Sequence, residues 1–402
     1  MFNQKWVRPN LDLYHIDASS KCIITFSNSG QLDKDFYKYA CDFYEAAEYI
    51  IHYLGEDAAQ KHDIAKLDLW YFPMVYLYRH SLELLLKAII FQTITDKNDR
   101  MNIVEEIRHN LLQAFQKIIE IKSLMIDGNA NAQWLKNYLS DISQLDSESD
   151  MFRYPFGNQF KILFERQTNI SLIATHDNMN KAYNIAKELF STGMFSEQIY
   201  EAYEPKLIIE GGYYYQQSVV GYKYSQYSFY PYFSSYNEVG DFLKKTIVEE
   251  NKSNLFMPTC YLYRNAIELC LKKMIAEDSH IDTDKALKII RKKKHSVQGL
   301  WNSIVEEIKK HVDSSDRDST LEDLEQYIQT FHNLDNRSDL FRYPCNTKLE
   351  SYFLTATLFD IENVTSCFEE FCTTLDSIDD VLIAVKEVEE EIKAEMDSYC
   401  DY

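Results

Sequence analysis

Hydrophobic positions recur every three or four residues through most of the chain, which is the spacing of one face of an α-helix. In residues 73–90 the side chains on that face are Val75, Tyr78, Leu82, Leu85, Leu86 and Ile89. The same spacing predicts helices at about 36–54, 103–122, 131–143 and 169–190, and then at 239–250, 258–276, 283–311, 321–333 and 349–371. Only ten Gly and seven Pro interrupt the 402 residues, so the pattern predicts an all-α fold.

The helix at 73–90 occurs twice. PMVYLYRHSLELLLKAII at 73–90 and PTCYLYRNAIELCLKKMI at 258–275 agree at ten of eighteen positions. Two landmarks follow each copy in the same order, a His and then the motif FRYP. The His comes 22 or 23 residues after the last shared Lys, and the Arg of FRYP comes 44 or 47 residues after the His. Such a repeat predicts two tandem bundles of four or five helices.

Length and repeat together divide the chain. At about 150 residues for each domain, 402 residues suggest two or three domains, and the repeat selects two. We expect an N-terminal extension at 1–35 with a strand-like run at 22–26, a first helical domain at 36–203, a Tyr-rich linker at 204–236, a second helical domain at 237–375 and an acidic C-terminal helix at 376–402.

The linker is rich in tyrosine, with nine Tyr between positions 213 and 236. Its segment LIIEGGYYY places Gly211 and Gly212 between apolar and aromatic runs, which is typical of a β-hairpin. Aromatic stretches also stack on nucleic-acid bases, but Lys223 is the only Lys in the Tyr-rich part. We expect a packed hairpin between the domains, with a ligand surface as the alternative.

The net charge of -21 disfavours a protein that coats nucleic acid, because Lys and Arg drive binding to phosphates. The net charge does not exclude a local basic cleft. Residues 376–402 hold ten Asp or Glu against two Lys. The apolar seam of this last helix, Val381, Val385, Val388 and Ile392, suits one partner helix. It is either an oligomer contact or packs back on the bundle.

The eight Cys show no CxxC spacing. Cys260 and Cys270 stand where the first copy of the repeated helix has Val75 and Leu85, which predicts buried thiols in a reducing compartment. We expect no signal peptide, and the sequence has no apolar run of about 18 residues. We expect a cytoplasmic protein that does not enter a membrane. No phosphate loop, HExxH, GxSxG or EF-hand pattern is present, so neither a metal site nor a cofactor is predicted.

A stripe of alternating charge lies beside the apolar face of each repeated helix. Its members stand at i, i+4 and i+8: Arg79, Glu83 and Lys87, and Arg264, Glu268 and Lys272. One interpretation is a solvated ladder worth about 0.3–0.5 kcal/mol for each pair. The other is a partly buried network that faces a neighbouring helix or a cleft. The second is favoured because the stripe persists while positions 81 and 88 change.

These motifs carry a resemblance to a known family. A helix of the form ELLLKAII, a later HNL at 109–111 or HSV at 295–297, and RYP ahead of the last helix resemble the HEPN superfamily. Its members are small helical bundles of prokaryotic toxin, defence and nucleotidyltransferase-associated systems. The resemblance covers roughly 36–190 and 237–375. It implies a binding or regulatory module of an antiviral defence or toxin–antitoxin system, with a protein partner or self-association and with RNA or a nucleotide as a further ligand.

The sequence departs from active HEPN ribonucleases, which resemble one another in an Arg and a His separated by four to six residues. No His follows Arg153 or Arg342 in that range. Arg8 and His15 have this spacing, but they lie in the irregular N-terminal segment and Pro9 directly follows the Arg, so we interpret them as coincidence. Arg alone cannot act as the general base of RNA cleavage, because its pKa is above about 12. The ribonuclease motif is therefore degenerate.

Two alternatives remain. If the halves pack as a pseudo-dimer, a metal-independent ribonuclease could use a composite site between them, with Arg153, Arg342, His109 and His295 as the candidate catalytic residues. A small-ligand or nucleotide sensor could instead use the charged stripes and the Arg of FRYP. We also expect Glu83 and Glu268 to accept hydrogen bonds from Arg or Lys, the FRYP Arg among them.

Overall fold

The structure, a computed structural model, describes residues 5–157, 164–221, 228–312 and 319–400. It is mostly helical, as the hydrophobic pattern predicts, with small two-stranded sheets. The part through residue 203, here the first half, contains β1 (Ile23–Phe26), α1 (Leu32–Tyr53), α2 (Ile64–Leu69), α3 (Tyr71–Thr93), α4 (Lys97–Ile107), α5 (Leu111–Lys122), α6 (Ala130–Leu145), β2 (Thr168–Ser171) and α7 (Leu172–Thr192).

The second half begins at residue 204. Its elements are β3 (Gln217–Val220), α8 (Tyr230–Glu250), α9 (Phe256–Lys273), α10 (Thr283–Lys293), α11 (Val297–His311), α12 (Thr320–Leu334), β4 (Thr357–Asp360) and α13 (Ile361–Cys400). One wide turn of π-helix follows α1 at Leu54–Ala58, and another follows α9 at Met274–Asp278.

Several predicted helix boundaries are wrong. In place of the helices expected at 103–122 and 239–250, the chain forms two helices, α4 and α5, and the longer α8. The helix expected at 283–311 is broken into α10 and α11, because Lys294 takes a positive φ of 52° and Ser296 then caps α11 by accepting the Gly299 N–H. The last helix begins at Ile361 rather than near 349, and it continues through the boundary expected at 375. No Gly or Pro stands between 361 and 400 to stop it.

The repeated segments form α3 and α9, which lie at the centre of the fold. Helix α3 packs against α1, α5, α7 and α8, while α9 packs against α8, α11 and α13. Every residue of α3 from Tyr71 to Phe91 is buried, and so is every residue of α9. A helix surrounded on all sides must satisfy its polar side chains internally, which places the charged stripes inside the protein.

The short strands connect the two halves. Antiparallel β1 and β4 pair Ile23 with Asp360, and antiparallel β2 and β3 pair Thr168 with Val220. The first strand of each half therefore pairs with the last strand of the other. Four-residue strands are not stable alone, so this exchange depends on the packing of the helices around it.

The hairpin expected across Gly211 and Gly212 does not form. The Ile209 carbonyl accepts the Ser171 N–H at 2.9 Å, while β3 pairs along β2 itself. Because β2 lies between the segment before the two glycines and the segment after them, those segments cannot pair with each other.

The tyrosines of the linker have different environments. Tyr213 and Tyr214 are 82% and 63% exposed. Tyr232 and Tyr236 are buried, and their hydroxyls donate to the carbonyls of Met151 and Phe152. Lys223 and the tyrosines at 222, 224 and 227 lie outside the described residues. The buried tyrosines bind the halves to each other.

Two further expectations concern the thiols and the membrane. Cys260 and Cys270 are free thiols with no exposed surface in the middle of α9, in agreement with their prediction as core residues. Within the described ranges, no helix combines the length and the apolar character needed to cross a membrane.

Candidate functional site

The charged stripe of α3 is a buried network, not a solvated ladder. Glu83 Oε2 accepts from Arg79 Nη1 at 2.9 Å, and Glu83 Oε1 accepts from Lys87 Nζ at 2.7 Å. The Arg79, Glu83 and Lys87 side chains are only 0%, 3% and 7% exposed. His109, which begins the turn before α5, places Nδ1 3.0 Å from Glu83 Oε1.

The stripe of α9 makes the same contacts. Glu268 accepts from Arg264 Nη1 at 3.4 Å and from Lys272 Nζ at 2.7 Å. His295 Nδ1 lies 3.0 Å from Glu268 Oε1. The helical spacing of four residues puts the three charges of each stripe on one face, and the His comes from the loop that crosses it.

Each network is completed by a tyrosine from the opposite half. The Tyr343 hydroxyl donates to Glu83 Oε1 at 2.7 Å, and the Tyr154 hydroxyl donates to Glu268 Oε1 at 2.8 Å. Both belong to FRYP motifs. The first cluster is therefore Arg79, Glu83, Lys87, His109 and Tyr343, and the second cluster is Arg264, Glu268, Lys272, His295 and Tyr154.

The exchanged rings also contact the lysines. Lys272 Nζ lies 4.2 Å from the centre of the Tyr154 ring, and Lys87 Nζ lies 5.0 Å from the centre of the Tyr343 ring. A cation over an aromatic face is attracted by the ring quadrupole, and more strongly when water is excluded. Separating the halves would remove this contact together with the tyrosine hydrogen bond.

Two aspartates that the sequence analysis missed hold the arginines of the stripes. Asp146 Oδ2 lies 3.0 Å from Arg79 Nε, and Asp335 Oδ2 lies 3.8 Å from Arg264 Nε. The other oxygen of Asp146 accepts the Met151 N–H, which shapes the turn into FRYP. The pattern LDxxSD, which occurs at 145–150 and again at 334–339, could have identified both aspartates from the sequence.

The Arg of the first FRYP motif is buried and already paired. Arg153 Nε donates to the Ser149 carbonyl at 2.6 Å, and Nη2 donates to Asp150 at 3.0 Å. Its guanidinium carbon lies 5.6 Å from the centre of the Tyr76 ring and 5.1 Å from that of Tyr154. The side chain is 5% exposed.

The second FRYP Arg is held in the same way. Arg342 donates to the Ser338 carbonyl at 2.5 Å and to Asp339 at 3.1 Å, and its side chain is 6% exposed. The expectation that this Arg reaches the glutamates is wrong. Its own turn supplies its acceptors, and the neighbouring Tyr extends to Glu83 instead.

The surroundings fix the protonation of the glutamates. Burial by itself would raise the pKa of Glu83, but Lys87, His109 and Arg79 hold it well below its usual range. Lys272, His295 and Arg264 do the same for Glu268. Burial beside these carboxylates raises the pKa of Tyr154 and Tyr343 well above the usual range, so both hydroxyls remain donors.

His109 and His295 are the members of the clusters that reach solvent, with side chains 33% and 34% exposed. Their Nε2 atoms have no hydrogen-bond partner within the described ranges. Glu268 raises the pKa of His295, but burial, Lys272 and Arg153 outweigh it, so the pKa lies below its usual range. An imidazole that is oriented by a carboxylate and partly exposed to solvent can accept or transfer a proton.

The structure brings the candidate catalytic residues together only indirectly. The Tyr154 hydroxyl lies 3.2 Å from His295 Nδ1, and the Tyr343 hydroxyl lies 3.4 Å from His109 Nδ1. Arg153 thus neighbours the histidine of the second half, but Tyr154 stands between them. The N-terminal pair is separate, since Arg8 bonds Glu370 of α13 at 3.1 Å.

The space between Arg153 and Arg342 is filled by aromatic residues. Tyr76 and Tyr261 stack with ring centres 5.0 Å apart. His80, with no exposed surface, places Nε2 3.1 Å from the Arg342 carbonyl. Burial lowers the pKa of His80 well below its usual range, so it is neutral. Because Asn265 replaces it in the second copy, the repeat gave no signal for this contact.

A cavity of about 270 Å³ lies away from both clusters. Its lining is Ile51, His52, Gly55, Glu56, Leu172, Ile173, His176, Tyr215 and Gln216. None of these residues belongs to the charged stripes or to FRYP, which the sensor hypothesis uses.

Comparison of the chain with protein-family models, curated proteins and solved structures finds no match.

Proposed function

We propose that this chain is a HEPN-like binding and regulatory module of a prokaryotic antiviral defence or toxin–antitoxin system, acting in the cytoplasm. In this proposal it consists of two tandem copies of one helical bundle, and the two clusters lock the copies together rather than cleave RNA. The setting rests on the family resemblance. The equal contacts of Glu83 and Glu268 support the duplication.

The burial and ion pairing of Arg153 and Arg342 are the main support for a non-catalytic role. A ribonuclease stabilises the charge that develops on the scissile phosphate with a cation aimed at it. Here both Arg side chains are at most 6% exposed, and each forms an ion pair with the Asp three residues before it. Tyrosine rings cover them further. A phosphate in solvent therefore finds no cation from FRYP.

The C-terminal part of α13 supports a protein partner. Val388, Ile392 and Met396 follow one another at intervals of four residues and are 53%, 52% and 64% exposed. Residues 387–397 hold six Glu or Asp against one Lys. A second acidic copy would repel this surface, whereas a basic amphipathic helix of another protein complements both its charge and its apolar seam.

Incubation of the purified protein with single-stranded RNA and transfer RNA, in magnesium or in EDTA, tests the non-catalytic role. We expect intact RNA in both conditions. Cleavage that leaves 2′,3′-cyclic phosphate ends, and that is lost in His109→Ala or His295→Ala but kept in the exposed control His15→Ala, would establish the composite-site ribonuclease instead. In that case Arg153→Ala and Arg342→Ala should abolish cleavage too.

Binding of a synthetic Lys-rich amphipathic peptide, followed by fluorescence anisotropy, tests the partner surface. We expect the affinity to fall about tenfold or more in Ile392→Glu and to stay unchanged in Met125→Glu, which alters an apolar residue 80% exposed in the first half. Sedimentation velocity on the same variants distinguishes binding of another protein from self-association. A concentration-dependent dimer that Ile392→Glu dissolves would assign the seam to self-association.

RNA remains the second candidate ligand because of one basic surface. Lys285, Lys288, Lys292 and Lys294 are exposed on α10 and the turn that leads to His295. Counted from the helix caps Asp282 and Asp96, the first half has Asp99, Asn102, Glu106 and Arg108 at these positions. RNA binding should therefore weaken in a Lys288→Glu/Lys292→Glu variant and be insensitive to Asn102→Glu.

A further inference from the structure

Three metal-ligating side chains that belong to neither cluster meet at the C-terminal end of α11. They are His280, in the loop before α10, and Glu307 and His311, in the last turns of α11. Their ligand atoms all lie within 4.8 Å of one another. His280 Nδ1 is 2.7 Å from Glu307 Oε1, and His311 Nε2 is 3.7 Å from the same oxygen.

Local structure explains why these three side chains lie close together. Glu307 and His311 are four residues apart on α11, so they share one face of the helix. The loop that carries His280 is fixed on both sides of it. The Ser279 N–H donates to the Met274 carbonyl at 2.9 Å, and the Ile281 N–H donates to Ser279 Oγ at 3.2 Å. The imidazole is thus held over the end of α11.

Two imidazoles and one carboxylate form a donor set that zinc uses together with a water molecule. Bonds of about 2.1 Å in a tetrahedron separate neighbouring ligand atoms by roughly 3.4 Å. The separations here, from 2.7 Å to less than 4.8 Å, lie around that value and need only side-chain rotation to reach it. Lys310 bonds Oε2 of Glu307 at 2.9 Å, which leaves Oε1 directed at the two imidazoles.

A fourth residue orients His280 as the outer partners of metal-bound histidines do. Glu389 of α13 places Oε2 2.6 Å from His280 Nε2. Without a metal, Nδ1 donates its proton to Glu307; when a metal ion displaces that proton, the Nε2 N–H stays on Glu389 and the Nδ1 lone pair binds the metal. Helix α13 therefore supplies the outer contact, while α11 and the loop before α10 supply the ligands.

The first half shows that the fold does not need these residue types. Counted from the helix caps Asn110 and Ser296, Ile121 and Met125 stand at the positions of Glu307 and His311. Helix α5 ends at Lys122, so the first half has no helical turn that corresponds to the one carrying His311. The donor set belongs to the half that carries α13.

We propose that His280, Glu307 and His311 form a binding site for a divalent metal ion of the zinc class, with water as the fourth ligand. Through Glu389 the bound ion clamps the acidic end of α13 to α11. The site is independent of the role proposed for the two clusters, and it was not predicted from the sequence because His280 lies 27 residues before Glu307.

Titration of EDTA-treated, buffer-exchanged protein with Co²⁺ and, by calorimetry, with Zn²⁺ tests the site. We expect one ion for each chain and a visible cobalt band without thiolate charge transfer. His280→Ala and His311→Ala should each weaken binding by more than about 100-fold, and Glu389→Gln by about 10- to 100-fold. His15→Ala, an exposed histidine outside the site, should bind as the parent does.

Folding does not confound this test, because the His280 side chain is 41% exposed and its loss leaves no buried gap. Urea unfolding in EDTA should be the same for parent and His280→Ala. Absence of saturable binding, a thiolate band, or binding that survives both histidine variants would overturn the site.

Trypsin cleavage after Lys393 tests the clamp between α13 and α11. Zn²⁺ should slow this cleavage in the parent but not in His280→Ala. Equal cleavage rates in the parent with and without Zn²⁺ would overturn the clamp.

Discussion

Replacing Glu83 by alanine tests whether the buried network stabilises the fold. Glu83 is 3% exposed and accepts from Arg79, Lys87 and Tyr343. After Glu83→Ala, Arg79 keeps Asp146 at 3.0 Å. Lys87, which is 7% exposed, loses the one carboxylate that pairs with it in the described part of the chain. The stranded ammonium group is therefore the main cost of the substitution.

Removing one partner of a buried ion pair costs about 3–5 kcal/mol, because the other charge stays desolvated. A protein of this kind has a total stability of about 5–15 kcal/mol, so the loss should be large. If the stranded charge is the cause, removing it should reverse part of the loss. We expect Glu83→Ala/Lys87→Met to be more stable than Glu83→Ala by about 1–3 kcal/mol.

Urea unfolding followed by circular dichroism at pH 7 measures both effects. Asp57→Ala is the matched control, since Asp57 and Lys61 form an i, i+4 ion pair at 2.8 Å with side chains 48% and 67% exposed. Its loss should cost no more than about 0.5 kcal/mol. If Glu83→Ala unfolds within about 0.5 kcal/mol of the parent, or if adding Lys87→Met gives no recovery, the network does not stabilise the fold as argued.

Two other expectations concern the exchanged tyrosines and a buried carboxyl. Tyr154→Phe and Tyr343→Phe should each lower the free energy of unfolding by about 1.5–3 kcal/mol, because each removes a hydrogen bond to a buried carboxylate, whereas the exposed control Tyr214→Phe should change it little. Burial raises the pKa of Asp42 to about 7, above its unfolded value of about 3.9, so the stability that its proton contributes is full below about pH 4 and is lost as the pH rises through 7. Asp42→Asn should therefore match the parent near pH 4 and exceed it by up to about 4 kcal/mol above pH 7 in urea unfolding.

Local spacing determined the helices and the charged stripes. Apolar residues every three or four positions predict helices, and an i, i+4 relation puts Glu83 and Lys87 on one face wherever the helix lies. The repeat likewise identified Glu268 and Lys272 as their equivalents. Cys260, aligned with Val75, was recognised as a core residue for the same reason. These features depend on residues within a few turns of one another, so the chain encodes them directly.

The partners of those residues were decided by tertiary structure. Tyr343 meets Glu83 across 260 positions of the chain, and Tyr154 meets Glu268 across 114. No periodicity relates such positions, because their contact follows from how α3 and α9 pack and from which half covers each helix. The sequence analysis chose Arg153 as the candidate catalytic residue of its FRYP motif, yet in the structure Asp150, in the turn before it, pairs with this Arg.

Tertiary packing also decided which strands pair and which metal-ligating side chains come together. The pairing of β1 with β4 joins residues more than 300 positions apart, and the meeting of His280 with Glu307 depends on a loop crossing the end of α11. A sequence determines which faces of its helices are apolar. Only the packed structure determines which polar groups are enclosed between those faces, since burial and pairing belong to both surfaces at once.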